Sequence, residues 1–242
     1  MNYYFITGTS RGIGQALAER ALQVENAQVI GFSRQQSIDH ERYTHHNIDL
    51  AQVSDLGKLI DPVFTQLTDA KRIVLINNAG TLGDVKYFGS IADEKIDQLF
   101  SLNITAPAIL MNHFIRAYEA EEAERIIINI SSGVSQYPVD GWSGYCASKA
   151  ALDMLSEVAA LELEKQNVEN FRVYSVAPGI VDTQMQTDIR ETDEQNFSRL
   201  QKFKDYKANG ALDNPQQTAE KYFYLINHPK KFQRVRQDVR EF

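Results

Sequence analysis

YFITGTSRGIGQALAERAL, residues 4–22, decides the fold. Tyr3–Thr7 reads as a strand, and Gly12–Val24 carries apolar residues at helical spacing. Between them, Gly8, Gly12 and Gly14 stand in a Gly-x-x-x-Gly-x-Gly pattern. Glycine lets a backbone turn tightly and approach a pyrophosphate, and the following helix N-terminus offers free N–H groups and a partial positive charge. A bare structural turn is the alternative, but a glycine loop placed between strand and helix favours phosphate binding.

Working outward, the same alternation recurs. Further strands are expected at Ala27–Phe32, Tyr43–Ile48, Arg72–Ile76, Arg125–Ile130 and Phe171–Val176, with a last one near Val235. Helices are expected over Val53–Leu67, Asp93–Ala120 and Gly144–Lys165, and from Pro215 onward. In the Gly144–Lys165 stretch, Leu152, Leu155, Val158, Ala159 and Leu163 form the apolar face. Strand and helix in alternation imply an α/β, Rossmann-like, doubly wound parallel sheet with helices on both faces. Ligands of such sheets bind beyond the carboxyl ends of the strands.

The 242 residues are 43% hydrophobic and 24% charged, with no linker-like stretch. One dinucleotide-binding domain over residues 1–242 is expected. The net charge of −7 argues against nucleic acid as partner. No apolar run is long enough to span a membrane. The start lacks the basic-then-apolar pattern of a signal peptide. Cys146 is the only cysteine, which excludes an internal disulfide and a cysteine-based metal cluster and suits a reducing compartment. A cytoplasmic location is therefore expected. His40, His45 and His46 have no second cluster to complete a metal site and read as exposed.

The second strand ends in GFSR, residues 31–34. Dinucleotide sites often place an acidic residue there, on the ribose 2′-OH. Here Ser33 and Arg34 stand in its place, with Arg11 in the glycine loop. A carboxylate would repel a 2′-phosphate, whereas arginine pairs with it. The expected cofactor is NADPH/NADP+ rather than the NAD form.

Tyr145 and Lys149 in YCASK fall on one face of the expected helix. An ammonium beside a phenol stabilises the phenolate and lowers its pKa from about 10 toward neutrality. The pair reads as a tuned acid.

Taken together, TGTSRGIG, NNAG (Asn77–Gly80), Asn103, Ser132 and Tyr145-x-x-x-Lys149 resemble the signature of the short-chain dehydrogenase/reductase family. GWSGYCASKAALDML, APGIVDTQMQ and the terminal RQDVREF resemble its sepiapterin reductase branch, which includes bacterial enzymes reducing benzil to (S)-benzoin. The resemblance implies roles. Tyr145 is the general acid, Lys149 its tuner and a ribose contact, and Ser132 a hydrogen-bond donor to the substrate carbonyl. Asn103 anchors a water leading to the lysine. Pro107, lacking an N–H, removes a helical hydrogen bond nearby. Ser131 is the neighbour of Ser132 and is read as structural.

The resemblance also implies cofactor contacts from Gly8, Ser10, Arg11, Gly12, Ile13, Gly14, Ser33 and Arg34. Asp49 and Leu50 would meet the adenine, although Asp49 also suits a helix cap. Asn77, Ala79 and Gly80 would line the cofactor, and Gly179, Val181 and Thr183 would hold the nicotinamide carboxamide.

Residues 180–214 are long and mostly polar, as substrate lids often are, with a short helix expected at QNFSRLQKFKDY, residues 195–206. Trp142, Tyr137 and Met185 are candidates for pocket walls or for plain packing, with Gly179 beside the substrate. By resemblance Asp238 anchors a pterin; a salt bridge to Arg234 or Arg236 is the alternative. Cys146 reads as a packing residue.

The expected activity is reduction of a small-molecule ketone or vicinal diketone to a hydroxyketone. The alternatives are sepiapterin reduction and a non-catalytic NADPH-binding regulator. Relatives associate through their two long helices, so a homodimer or higher homo-oligomer is implied.

Overall fold

The computed structural model describes residues 1–64, 67 and 69–242. Seven strands form one parallel sheet: β1 (Asn2–Thr7), β2 (Ala27–Ser33), β3 (Tyr43–Asn47), β4 (Arg72–Asn77), β5 (Glu124–Ile130), β6 (Phe171–Ala177) and β7 (Arg236–Asp238). Their order is β3-β2-β1-β4-β5-β6-β7, reversing direction of winding next to β1. The central strands β4 (RIVLIN) and β5 (ERIIINI) are apolar along their length because both of their faces are covered.

Two cores lie on opposite faces. One packs α1 (Gly12–Leu22) and a late helix, Pro215–Asn227, against Tyr4, Ile6, Val74, Ile128 and Val176. The other faces Phe5, Leu75 and Ile127 and takes α2 (Leu56–Ile60), α4 (Ala106–Tyr118) and α5 (Ser143–Lys165). Alternation along each strand sends neighbouring residues to opposite cores. Tyr4 and Phe5 are an example.

The helix expected over Val53–Leu67 is shorter, Leu56–Ile60; residues 65 and 66 of that expectation lie outside the described residues. The long helix expected over Asp93–Ala120 is interrupted. It runs as α3 (Asp93–Phe100), a π-helical turn at Ser101–Thr105, then α4. Pro107 explains the break, because it cannot donate to the Asn103 carbonyl one turn back. Val158 is not on the core face: it is exposed with Met154 and Leu161. His45 and His46 are half-buried rather than exposed, with the His46 ring against Phe32.

Residues 180–214 hold two helices: α6 (Gln184–Arg190), which their polarity does not predict, and α7 (Leu200–Ala208), where QNFSRLQKFKDY was expected to be helical. The base of this excursion is closed by a bridge between Val181 and Asp213. Ile189, Phe197 and Leu200 pack with Trp142 and Tyr145 in a third apolar cluster. The chain then enters α8 (Pro215–Asn227) through an Asn214–Gln217 capping box. No helix among the described residues is long and apolar enough to cross a membrane.

Candidate active site

Loops leaving the carboxyl ends of β1 to β6 line one cleft of about 1490 Å³. At its floor, the Thr7 hydroxyl accepts hydrogen bonds from the Asn78 and Ala79 amides, both at 2.9 Å. The Asn78 amide group donates back to the Thr7 carbonyl at 2.9 Å. These bonds join the glycine loop to the segment after β4.

The loop itself requires glycine. Gly8 has φ +73°, a left-handed conformation that side chains rarely adopt. A Cβ on Gly14 would stand 2.3 Å from the Gly8 carbonyl oxygen. The backbone is thus folded closely on itself ahead of α1. No side chain caps α1, so its first N–H groups lack partners within the helix. Gly8, Ser10, Arg11, Gly12 and Ile13 line the cleft, while Gly14 is buried beneath them.

Arg11 and Arg34 are exposed at the cleft, and neither forms an ion pair among the described residues. Ser33 is buried, and its hydroxyl donates to the Gln35 carbonyl at 2.9 Å. Asp49 and Leu50 line the same end; Asp49 also accepts from the Ala51 amide at 3.1 Å. The residues fit a dinucleotide. The tight backbone cradle and the uncapped helix suit a pyrophosphate, and the guanidinium groups of Arg34, just past β2, and Arg11, in the glycine loop, line the same cleft.

At the other end lie Tyr145 and Lys149, both facing the cleft from the first turns of α5. The Ser132 hydroxyl stands beside the Tyr145 phenol and favours its ionised form. Burial pushes the phenol pKa up to about 12, and Ser132 opposes that rise. The phenol pKa is therefore raised rather than lowered as expected from the adjacent lysine. Burial outweighs what the neighbouring cation can do; the Lys149 Nζ lies 5.6 Å from the ring centroid and donates to the Ile130 carbonyl at 2.8 Å. Burial in turn pulls Lys149 down to about 8, opposed by Asp153.

Asn103 is buried, with its amide group fully engaged. Its Oδ1 accepts from the Thr81 amide at 2.9 Å, and its Nδ2 donates to the Thr81 carbonyl at 2.8 Å and to Ser148 at 3.0 Å. It clamps the loop after β4 to α5. Gly80 marks the junction: a Cβ there would lie 3.4 Å from Asn103 Oδ1 and 3.7 Å from Lys149 Nζ.

Several expected contacts fall elsewhere. The Asn77 side chain turns into the sheet core and donates to Asn129 at 2.8 Å; its neighbour Asn78 lines the cleft instead. A strand end alternates faces, so a shift of one residue reverses the side. Val181 is buried, and the open side of Gly179 meets Arg240 and Val239. These two residues set the path of the chain that brings Thr183 and Met185 to the cleft. Trp142 is buried, stacked on Phe197 at 5.0 Å and edge-on to Tyr145 at 5.7 Å, so it packs behind the phenol rather than walling the cleft. Tyr137 is exposed, under the Arg199 guanidinium. Asp238 pairs with Arg240, not with Arg234 or Arg236, and caps its own turn through the Arg240 amide at 2.9 Å.

Sequence reading passed over Thr7, Asn78, Thr81 and Ser148, whose signal is three-dimensional. It also passed over Asp153, which stands four residues after Lys149 on the same helix face.

A doubly wound sheet with a phosphate-suited loop and a Ser–Tyr–Lys cluster at its carboxyl edge defines a nucleotide-dependent oxidoreductase. Residues 2–194 match the model of the short chain dehydrogenase family. The chain is 32% identical to benzil reductase ((S)-benzoin forming) from Bacillus subtilis over 246 aligned residues, covering all of both chains. It is 33% identical to sepiapterin reductase from Mus musculus, covering 91% of this chain and 90% of that one. Among solved structures, the KRED1-Pglu enzyme superposes with a TM-score of 0.78 at 28% identity, covering 93% of this chain and 94% of that one. The protein belongs to the short-chain dehydrogenase family, whose members use a nicotinamide cofactor.

Proposed function

We propose that the protein is an NADPH-dependent carbonyl reductase that converts a vicinal diketone of the benzil type to a hydroxyketone. The observation that carries this reading is the Tyr145 phenol, set beside Ser132 and Lys149 at the cleft. NADPH, when bound by the glycine loop, supplies the hydride. As negative charge builds on the carbonyl oxygen, Ser132 donates a hydrogen bond to it and Tyr145 transfers its proton. A phenol pKa of about 12 keeps that proton in place at neutral pH. The Lys149 ammonium stabilises the phenolate left behind. Arg34 and Arg11, free of ion-pair partners, support a 2′-phosphate.

Leu82, Val85 and Met185 pack with Tyr145 and also line the cleft, which supports an apolar, aromatic substrate. Asp238 is already held by Arg240, which weakens a pterin-binding role. Relatives named benzil reductase and sepiapterin reductase bracket the two choices. The deciding experiment follows NADPH, then NADH, oxidation with benzil, 1-phenyl-1,2-propanedione and sepiapterin. Fast turnover of the diketones with NADPH supports the proposal. Preference for sepiapterin replaces the substrate, and cofactor binding without any turnover replaces the enzyme with a binding protein.

The same reading includes a homodimer through α4 and α5. The exposed stripe of Met154, Val158 and Leu161 on α5 supports it. Sedimentation as a monomer at micromolar concentration would end it.

A further inference from the structure

Asp153 lies on α5 one turn beyond Lys149 and is 3% exposed. Its Oδ1 accepts two short hydrogen bonds, from Ser131 at 2.5 Å and from Ser175 at 2.6 Å. Ser131 follows β5 and immediately precedes Ser132; Ser175 lies within β6. Its Oδ2 faces the Arg236 guanidinium of β7 at 3.8 Å, and Arg236 in turn pairs with Glu157 at 2.8 Å. One carboxylate therefore ties α5 to the ends of two strands and faces a third.

Hydrogen bonding alone does not require a charge here. Both serine hydroxyls donate to the same oxygen, so a neutral amide oxygen in that place would satisfy both. A buried charge is costly unless it is paired. The exposed side of the network has Arg236. The buried side has Lys149, which is 5% exposed and has no carboxylate within ion-pair distance among the described residues. The other titratable or polar groups around the two are Tyr145 and Glu157 on α5, Ser131 and Ser175 on the strands, and Asn103 on the π turn.

We propose that Asp153 is a positioning residue: its carboxylate keeps the buried Lys149 ammonium charged while its hydrogen bonds fix the strand end that carries Ser132. This rests on the roles given above to Lys149 and Ser132. Consistent with it, burial drives the Lys149 pKa down and Asp153 is the charge that opposes the fall.

Asp153→Asn separates the two functions, because the amide oxygen retains both serine bonds and only the charge is lost. The Lys149 titration is read directly in the ligand-free protein, by NMR of ¹³Cε-labelled lysine with the signal assigned through Lys149→Met. The expected result is a downward shift of roughly one unit or more. The basic limb of kcat/KM for NADPH-driven diketone reduction should move down with it. Arg236→Gln removes the opposing cation from a half-exposed site and should shift Lys149 upward, by less. That variant decides the matter if Asp153→Asn does not fold. An unmoved Lys149 titration in either folded variant overturns the proposal. A shifted titration in a protein that reduces no carbonyl leaves Asp153 in its role and removes the proposed activity instead.

Discussion

The Lys149 ammonium sits over the Tyr145 ring, 5.6 Å from its centroid. It donates a hydrogen bond to the Ile130 carbonyl at the end of β5. Both side chains are buried, and burial moves both toward their neutral forms. The resting site therefore stores a proton on the phenol rather than a phenolate. Lysine acts on the charge that appears only when that proton leaves.

Tyr145→Phe removes the proton donor and keeps the ring that packs against Trp142. Diketone turnover should fall by at least about 100-fold. NADPH binding, read by nucleotide fluorescence, should change little. Retained turnover would remove Tyr145 from its assigned role.

Lys149 also makes stability depend on pH. Its folded-state pKa of about 8 lies below the value of roughly 10.4 for an unfolded lysine. Below the folded value both states are protonated and the full cost of a buried charge is present. Between the two values the unfolded chain binds more protons, so stability rises with pH, and above about 10.4 the cost is gone. The displacement corresponds to about 3 kcal/mol, reduced by whatever Lys149→Met loses at the Ile130 carbonyl. Lys149→Met should thus melt higher than the parent at pH 7, and the gap should close by pH 10. It should also be inactive.

Arg34→Ala tests the cofactor. A guanidinium–phosphate pair contributes about 1.5–3 kcal/mol, so KM for NADPH should rise roughly 10- to 100-fold. KM for NADH should stay within about twofold of the parent. Equal effects on both nucleotides would show that Arg34 does not read a 2′-phosphate.

Gly14→Ala places a methyl group 2.3 Å from both the Gly8 carbonyl oxygen and the Asn78 Nδ2. Neither the backbone oxygen nor the tethered Asn78 side chain can yield cheaply. Overpacking of this kind costs about 1–3 kcal/mol, or several degrees in Tm at this chain length. Nucleotide affinity should fall as well, since the same contact shapes the cradle. Calorimetry with and without NADPH reads both effects.

The order of the strands, most of the helices and the glycine loop were legible in residue pattern alone. Period-2 and period-3.6 hydrophobicity are local properties, and the alternation of Tyr4 and Phe5 between two cores needs nothing more than the pleat. The family motifs named Ser132, Tyr145 and Lys149, and the absence of an acid at Ser33–Arg34 was visible as well. Tertiary structure decided what depends on distance. It turned Asn77 into the core and Asn78 to the cleft, placed Trp142 behind the phenol, and joined Asp238 to Arg240. It reversed the expected direction of the Tyr145 shift, because burial is a property of the folded surroundings and not of the pentapeptide. It also brought Ser131, Asp153, Ser175 and Arg236 together from two strands, the segment just past a third and a helix. Sequence spacing shows only which residues share one element, whereas the electrostatics of a buried charge are set by what other elements bring beside it.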